Sequence, residues 1–208
     1  MRRCTVLGPL PVLLLSVLLA ACAAPSPAPQ DSFYSLQARP ASKPAAAHPH
    51  PSGTLLIQDL SARGFLGGRQ IVFRTEAEPL QVRRYPRLLW EEPPGRALAA
   101  ELVTALRDAG PFERVLGPRQ RARGDYILSG ELARFEHHPT ATPPYVAAEL
   151  TLTLLRSGDR GVLMNQRFSG EEPTDGETPM AMVRAFNRLS GRLISQAALE
   201  IGRFASGL

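Results

Sequence analysis

From Val146 to Leu154 the chain alternates without a break. Val146, Ala148, Leu150, Leu152 and Leu154 occupy every second position, with Ala147, Glu149, Thr151 and Thr153 between them. A period of two sends one set to each side of an extended chain, so this segment is a strand with one face in a core. A helical period follows from about Thr178 to Phe204. There Val183, Phe186, Leu189, Leu193, Ile194, Ala197, Ile201 and Phe204 fall on one stripe. That stripe needs an apolar surface to cover, and the inner face of a sheet supplies one.

The flanking segments extend this pattern. Tyr126, Leu128 and Leu132 share one parity, while Ile127, Ala133 and Phe135 share the other. A bulge near Ser129-Gly130 would bring both sets to one face. Residues 157–161 read as a turn, and Val162, Met164 and Phe168 as inward positions of a third strand, so three strands form a long antiparallel meander. Earlier, Phe33-Tyr34-Ser35-Leu36, Leu55-Leu56-Ile57, Ile71-Val72-Phe73-Arg74 and Leu80-Gln81-Val82-Arg83 read as short strands, separated by turns at Gly64, Gly67 and Gly68. Pro93-Pro94 opens a helix with Leu98, Leu102, Ala105, Leu106 and Ala109 on one face, and Gly110-Pro111 closes it. The expected fold is α+β: a single domain with a mostly antiparallel sheet and two main helices packed on one face.

The start of the chain sets the compartment. Arg2 and Arg3 precede an apolar run from Val6 to Leu19, the layout of a secretory signal. Pro9 and Pro11 interrupt the run, and it is shorter than the ~20 residues of a spanning helix. Leu19-Ala20-Ala21-Cys22 resembles the bacterial lipobox. In that chemistry the Cys22 thiol takes a diacylglyceryl group, cleavage falls between Ala21 and Cys22, and the freed amine takes a further acyl chain such as palmitate. Two or three chains, at about 0.8 kcal/mol per buried methylene, anchor a protein stably. No other cofactor is expected. Ala23, where an inner-membrane lipoprotein carries Asp, favours the periplasmic face of the outer membrane. The expected organisation is a signal at 1–21, the lipidated Cys and a Pro-rich tether at 22–32, a folded body at 33–204 and a tail at 205–208. A Pro- and Ala-rich loop at 38–53 interrupts the body.

The formal charge of +5 invites a nucleic-acid reading, which three observations oppose. Lys43 is the only Lys beside many Arg, Pro and Gly residues, a bias of coding composition. Arg2 and Arg3 leave with the signal. The remaining Arg residues are interspersed with 19 acids and form no basic stripe. No nucleic-acid partner is therefore expected.

Catalytic constellations are lacking. Gly64 to Arg69 has no Gly-Lys-Ser/Thr ending, and Ser129 has no glycine two residues before it. The pairs His137-His138 and His48/His50 lack the spacing that places two ligands on one helix face, so no metal site is expected. With Cys4 in the signal and Cys22 acylated, no thiol remains for catalysis. A secreted hydrolase would need a nucleophile–base pair that this pattern does not offer.

The ordered series of motifs resembles the ABC-type transport auxiliary lipoprotein family, which includes the paraquat-inducible lipoproteins. The resemblance rests on Phe33-Tyr34-Ser35-Leu36, on Gly64 to Arg74 with its Gln70-Ile71-Val72 triplet, on Arg87 to Pro93 around Trp90, and on Asp125 to Leu132 with Phe135-Glu136. It implies a non-enzymatic component beside an ABC transporter that moves lipid across the envelope. The implied partner is a membrane-anchored MCE-domain protein that bridges the periplasm, received at the outer membrane. Contact with phospholipid and a homo-oligomer remain open. Arg69, Arg74 and Trp90 are the candidate interface residues; Trp90 also fits core packing beside the helix. The alternative is an envelope interaction lipoprotein of another machine, a cell-wall synthase activator or a secretion component.

Overall fold

The computed structural model describes residues 29–38, 53–120 and 122–206. The signal, Cys22, most of the tether, residues 39–52 of the loop and the last two residues lie outside the described residues. The described elements follow the order β1 (Ser32–Tyr34), β2 (Thr54–Ile57), β3 (Ser61–Ala62), β4 (Gln70–Thr75), β5 (Glu78–Trp90), α1 (Pro94–Ala109), β6 (Arg114–Leu116), β7 (Tyr126–His138), β8 (Tyr145–Arg156), β9 (Val162–Pro173) and α2 (Pro179–Ala205). A 3-10 turn, Gly64–Gly67, joins β3 to β4.

β7 organises the sheet. One edge pairs antiparallel with β8, which pairs antiparallel with β9, giving the meander that the alternation predicts. The other edge takes three short parallel strands in succession: β2 at Tyr126–Leu128, β3 at Glu131–Leu132 and β4 at Glu136–His137. The sheet then divides, with β6 added to β2 and with β5 and then β1 added to β4. The long pairings are antiparallel and the short ones, apart from β4 with β5, are parallel. Parallel neighbours need a crossover, and α1 lies in the crossover that carries the chain from β5 toward β7.

The bulge in β7 lies between Leu132 and Arg134, not at Ser129-Gly130. Gly130 faces the core, where the side chains of Leu152 and Leu60 fill the space a Cβ would occupy, at 2.7 and 3.1 Å. Inward parity therefore continues through Leu128, Gly130 and Leu132. The extra residue at Ala133 then returns Phe135 to the core face.

The helices pack as the stripes require. On α2, Val183, Phe186, Leu189, Leu193, Ile194, Ala197 and Ile201 are buried, while Phe204, at the end of the stripe, is exposed. On α1, Leu98, Leu102, Ala105 and Leu106 are buried. Fully burying such side chains contributes about 1.5–3 kcal/mol each. Thr178 caps α2 by accepting from the Ala181 amide at 3.1 Å, and Gly110 ends α1 at φ 62°. Trp90 from the end of β5, Phe135 from β7 and Phe186 from α2 meet with ring centroids 4.5–5.7 Å apart. This trio joins the end of β5 to the core.

Candidate functional site

Past the bulge, Arg134, Glu136 and His138 project from the sheet face opposite the helices. Register sets Glu149, Ala147 and Tyr145 of β8 beside them. Val72 of β4 pairs with Glu136, so Arg74, two residues on, reaches along the same face. Arg74 Nε donates to Glu136 Oε2 at 2.7 Å, and Arg134 Nε donates to Oε1 at 2.7 Å. His138 stacks on Tyr145 with ring centroids 4.4 Å apart. Its Nδ1 lies 3.3 Å from Glu76 Oε1, and its Nε2 lies 3.0 Å from Arg134 Nη2. With the proton on Nδ1, the ring donates to Glu76 and accepts from Arg134.

Glu136 is only 6% exposed. Burial alone would raise its pKa, but hydrogen bonds and charge from Arg134 and Arg74 more than reverse that, and the carboxyl titrates below its ordinary value. A carboxylate held by two guanidiniums fixes shape; it is not poised to exchange protons near neutrality. These side chains, with Arg63, Pro79 and Glu149, border an open recess of about 540 Å³. A second recess of about 470 Å³ follows along the same face, bordered by Gln58, Ser61, Ser129, Thr151, Thr153 and Asn165. Its hydroxyl and amide groups partly satisfy one another, as where Asn165 Nδ2 donates to Thr153 Oγ1 at 2.8 Å. Together the recesses form a polar surface suited to hydrogen-bonded recognition. Among the described residues no group of three or more His, Cys, Asp or Glu side chains is arranged to hold a metal ion.

His137 points to the other face. Its Nδ1 lies 2.9 Å from the Tyr85 hydroxyl, while Nε2 is buried without a hydrogen-bond partner. Burial first, and the neighbouring His138 second, push its pKa down to about 4. Burial pushes the Tyr85 hydroxyl up to about 12. At the far edge, Arg188 and Arg192 of α2 both bind Glu172 of β9, with Arg188 Nε at 2.7 Å, and clamp the helix to the sheet.

Of the three candidate residues from the sequence, Arg69 and Trp90 are brought together and Arg74 falls in a different cluster. Arg74 belongs to the Glu136 network. Arg69 is exposed; its Nε donates to the Trp90 carbonyl at 3.0 Å, and its guanidinium lies 5.0 Å from the Phe33 ring centroid. Trp90 is 2% exposed and offers no surface to a partner, so it is a core residue. Sequence reading missed Arg134, Glu136, His138 and Tyr145 as a group. The signal was available in the spacing of Arg134, Glu136 and His138 at every second position, one side of a strand. Ala21 and Cys22 lie outside the described residues.

The model of a family described as an ABC-type transport auxiliary lipoprotein component matches residues 34–198. The crystal structure of a protein from Xanthomonas campestris has 24% identity and a TM-score of 0.71, covering 85% of this chain and 96% of its own. The crystal structure of an uncharacterized protein has 18% identity and a TM-score of 0.61, covering 84% of this chain and 98% of its own. At these identities the likeness to solved structures is one of fold. No curated protein matches this chain. Among the described residues, no helix is long and apolar enough to cross a membrane.

Proposed function

Because this chain belongs to the ABC-type transport auxiliary lipoprotein family, we propose that it serves an MCE-linked lipid transporter of the bacterial envelope. The observation that carries this reading is the reach of the family match, residues 34–198, which takes in both helices' cores and the whole meander. The chain binds and tethers rather than catalyses. Acyl chains on Cys22 hold it to the periplasmic face of the outer membrane, and there it receives the MCE-domain protein that bridges the periplasm. Transport is driven by the ATPase partner. The polar recesses around Glu136 and Thr151 support a binding role, since they offer paired charges and hydroxyls on a wide open face.

In-cell crosslinking of the full-length lipoprotein, followed by mass spectrometry of its partners, tests this reading. The expected result is recovery of an MCE-domain protein, reduced in a Cys22→Ser strain. Recovery of cell-wall synthases or secretion proteins instead would overturn it and favour another envelope machine.

A further inference from the structure

Two exposed phenylalanines sit on one margin of the sheet. Phe33 of β1 is 56% exposed, and Phe65 of the turn before β4 is 46% exposed. Each lies under a guanidinium: Arg69 is 5.0 Å from the Phe33 centroid and Arg84 is 4.3 Å from the Phe65 centroid. Register puts Phe33 beside Leu89 and Leu89 beside Gln70. It also puts Arg84 beside Val72, two residues along β4 from Gln70, with a break in the β4–β5 register between the two pairs. Arg69, Arg84 and Arg87 are exposed and form no ion pair among the described residues. The acids nearest these arginines in sequence are Glu76, Glu78 and Glu91, and each has another partner: Glu76 lies against His138, Glu78 pairs with Arg83, and Glu91 accepts from the Ser35 hydroxyl. An arginine lying on a ring keeps its N–H donors free at the edge of its plane, where they suit phosphate oxygens. Exposed aromatic rings beside free arginines match the chemistry of a headgroup layer, with an apolar body below and bound phosphate above.

Chain length brings this margin to the membrane. This placement depends on acylation of Cys22, as proposed above. Fully extended, the ten residues from Cys22 to Ser32 reach about 31–35 Å. A folded unit of this size is ~40 Å across, so the tether cannot let the body turn β1 wholly away from the bilayer. We infer that the β1–β5–β4 margin rests on the phospholipid surface that holds the acyl chains. Phe33 and Phe65 enter the headgroup layer, and Arg69, Arg84 and Arg87 bind lipid phosphates.

The test uses the full-length lipoprotein reconstituted into vesicles of phosphatidylethanolamine and phosphatidylglycerol, with part of the lipid brominated on its acyl chains. Single variants Phe33→Trp, Phe65→Trp, Val162→Trp and Leu199→Trp each add one fluorophore at an exposed apolar position. Buried Trp90 gives a common background that also reports the fold. The expected result is quenching of the added emission at 33 and 65 at least about twofold above that at 162 and 199. Adding Arg69→Glu and Arg84→Glu lowers the quenching at 33 and 65. Intact mass reads Cys22 acylation separately. An acylated chain with equal quenching at all four positions overturns this inference alone, whereas an unacylated Cys22 overturns both it and the anchor reading.

Discussion

The meander with α2 and the margin built from β1, β4 and β5 are made differently. In β8 the even positions from Val146 to Leu154 are all buried, and α2 buries a continuous apolar stripe from Val183 to Ile201. β5 is one residue longer than β8, yet only Trp90 at its end is buried. Its hairpin with β4 presents Leu80 at 93% exposure and carries Arg74, Arg83 and Arg84. Pro79 and Pro86 also lie in β5, and neither has an amide to offer an added strand. The meander spends its sequence on packing and therefore fixes the fold. The margin spends its sequence on surface chemistry and depends on a few residues for attachment.

The sharpest way to break this contrast is at the attachment point. Trp90→Ala removes the ring that locks β5 to Phe135 and Phe186, and should cost about 3–5 kcal/mol. Urea unfolding of the Cys22→Ser chain would measure it. A cost below that of a surface substitution would mean that β5 is held elsewhere. Next is Glu136→Gln, which leaves Arg74 and Arg134 facing a neutral amide on a largely buried site. The expected loss is about 2–4 kcal/mol by the same measurement.

A smaller effect appears with pH. His137 has a folded pKa of about 4 against an ordinary 6.5, so the unfolded chain binds its proton first as pH falls. Stability from this group is complete above about pH 6.5 and declines toward pH 4, by up to about 3 kcal/mol. His137→Phe should flatten the stability profile between pH 6.5 and 5, before the depressed carboxyl of Glu136 begins to titrate. An unchanged slope would show that another group sets it. The smallest effect is Leu80→Ser, expected within about 0.5 kcal/mol because the side chain is almost wholly exposed.

Legibility followed the same division. Alternation in β8 and the stripe of α2 were readable because burial on one face writes a period into the sequence. The short parallel strands β3 and β6 have two and three residues, too few to show any period. The full length of β5 was hidden because its exposed residues do not alternate in polarity, and only Leu80–Arg83 stood out. The change of parity in β7 reveals a bulge but not its position, since parity alone cannot show that Gly130 faces inward against Leu152. At the site, nothing in the sequence ties Arg74 to its partner Glu136. A buried carboxylate reads like a surface one until its two arginines are brought to it by strands far apart in the chain. Trp90 fitted two readings, and burial decides for the core.

The most direct test is photo-crosslinking in cells with a probe residue at Phe33 or Leu80 on the margin, and at Val162 or Leu199 on the meander and α2. Adducts with phospholipid are expected from the margin, and few from the other pair. Adducts confined to Val162 and Leu199 would contradict this expectation.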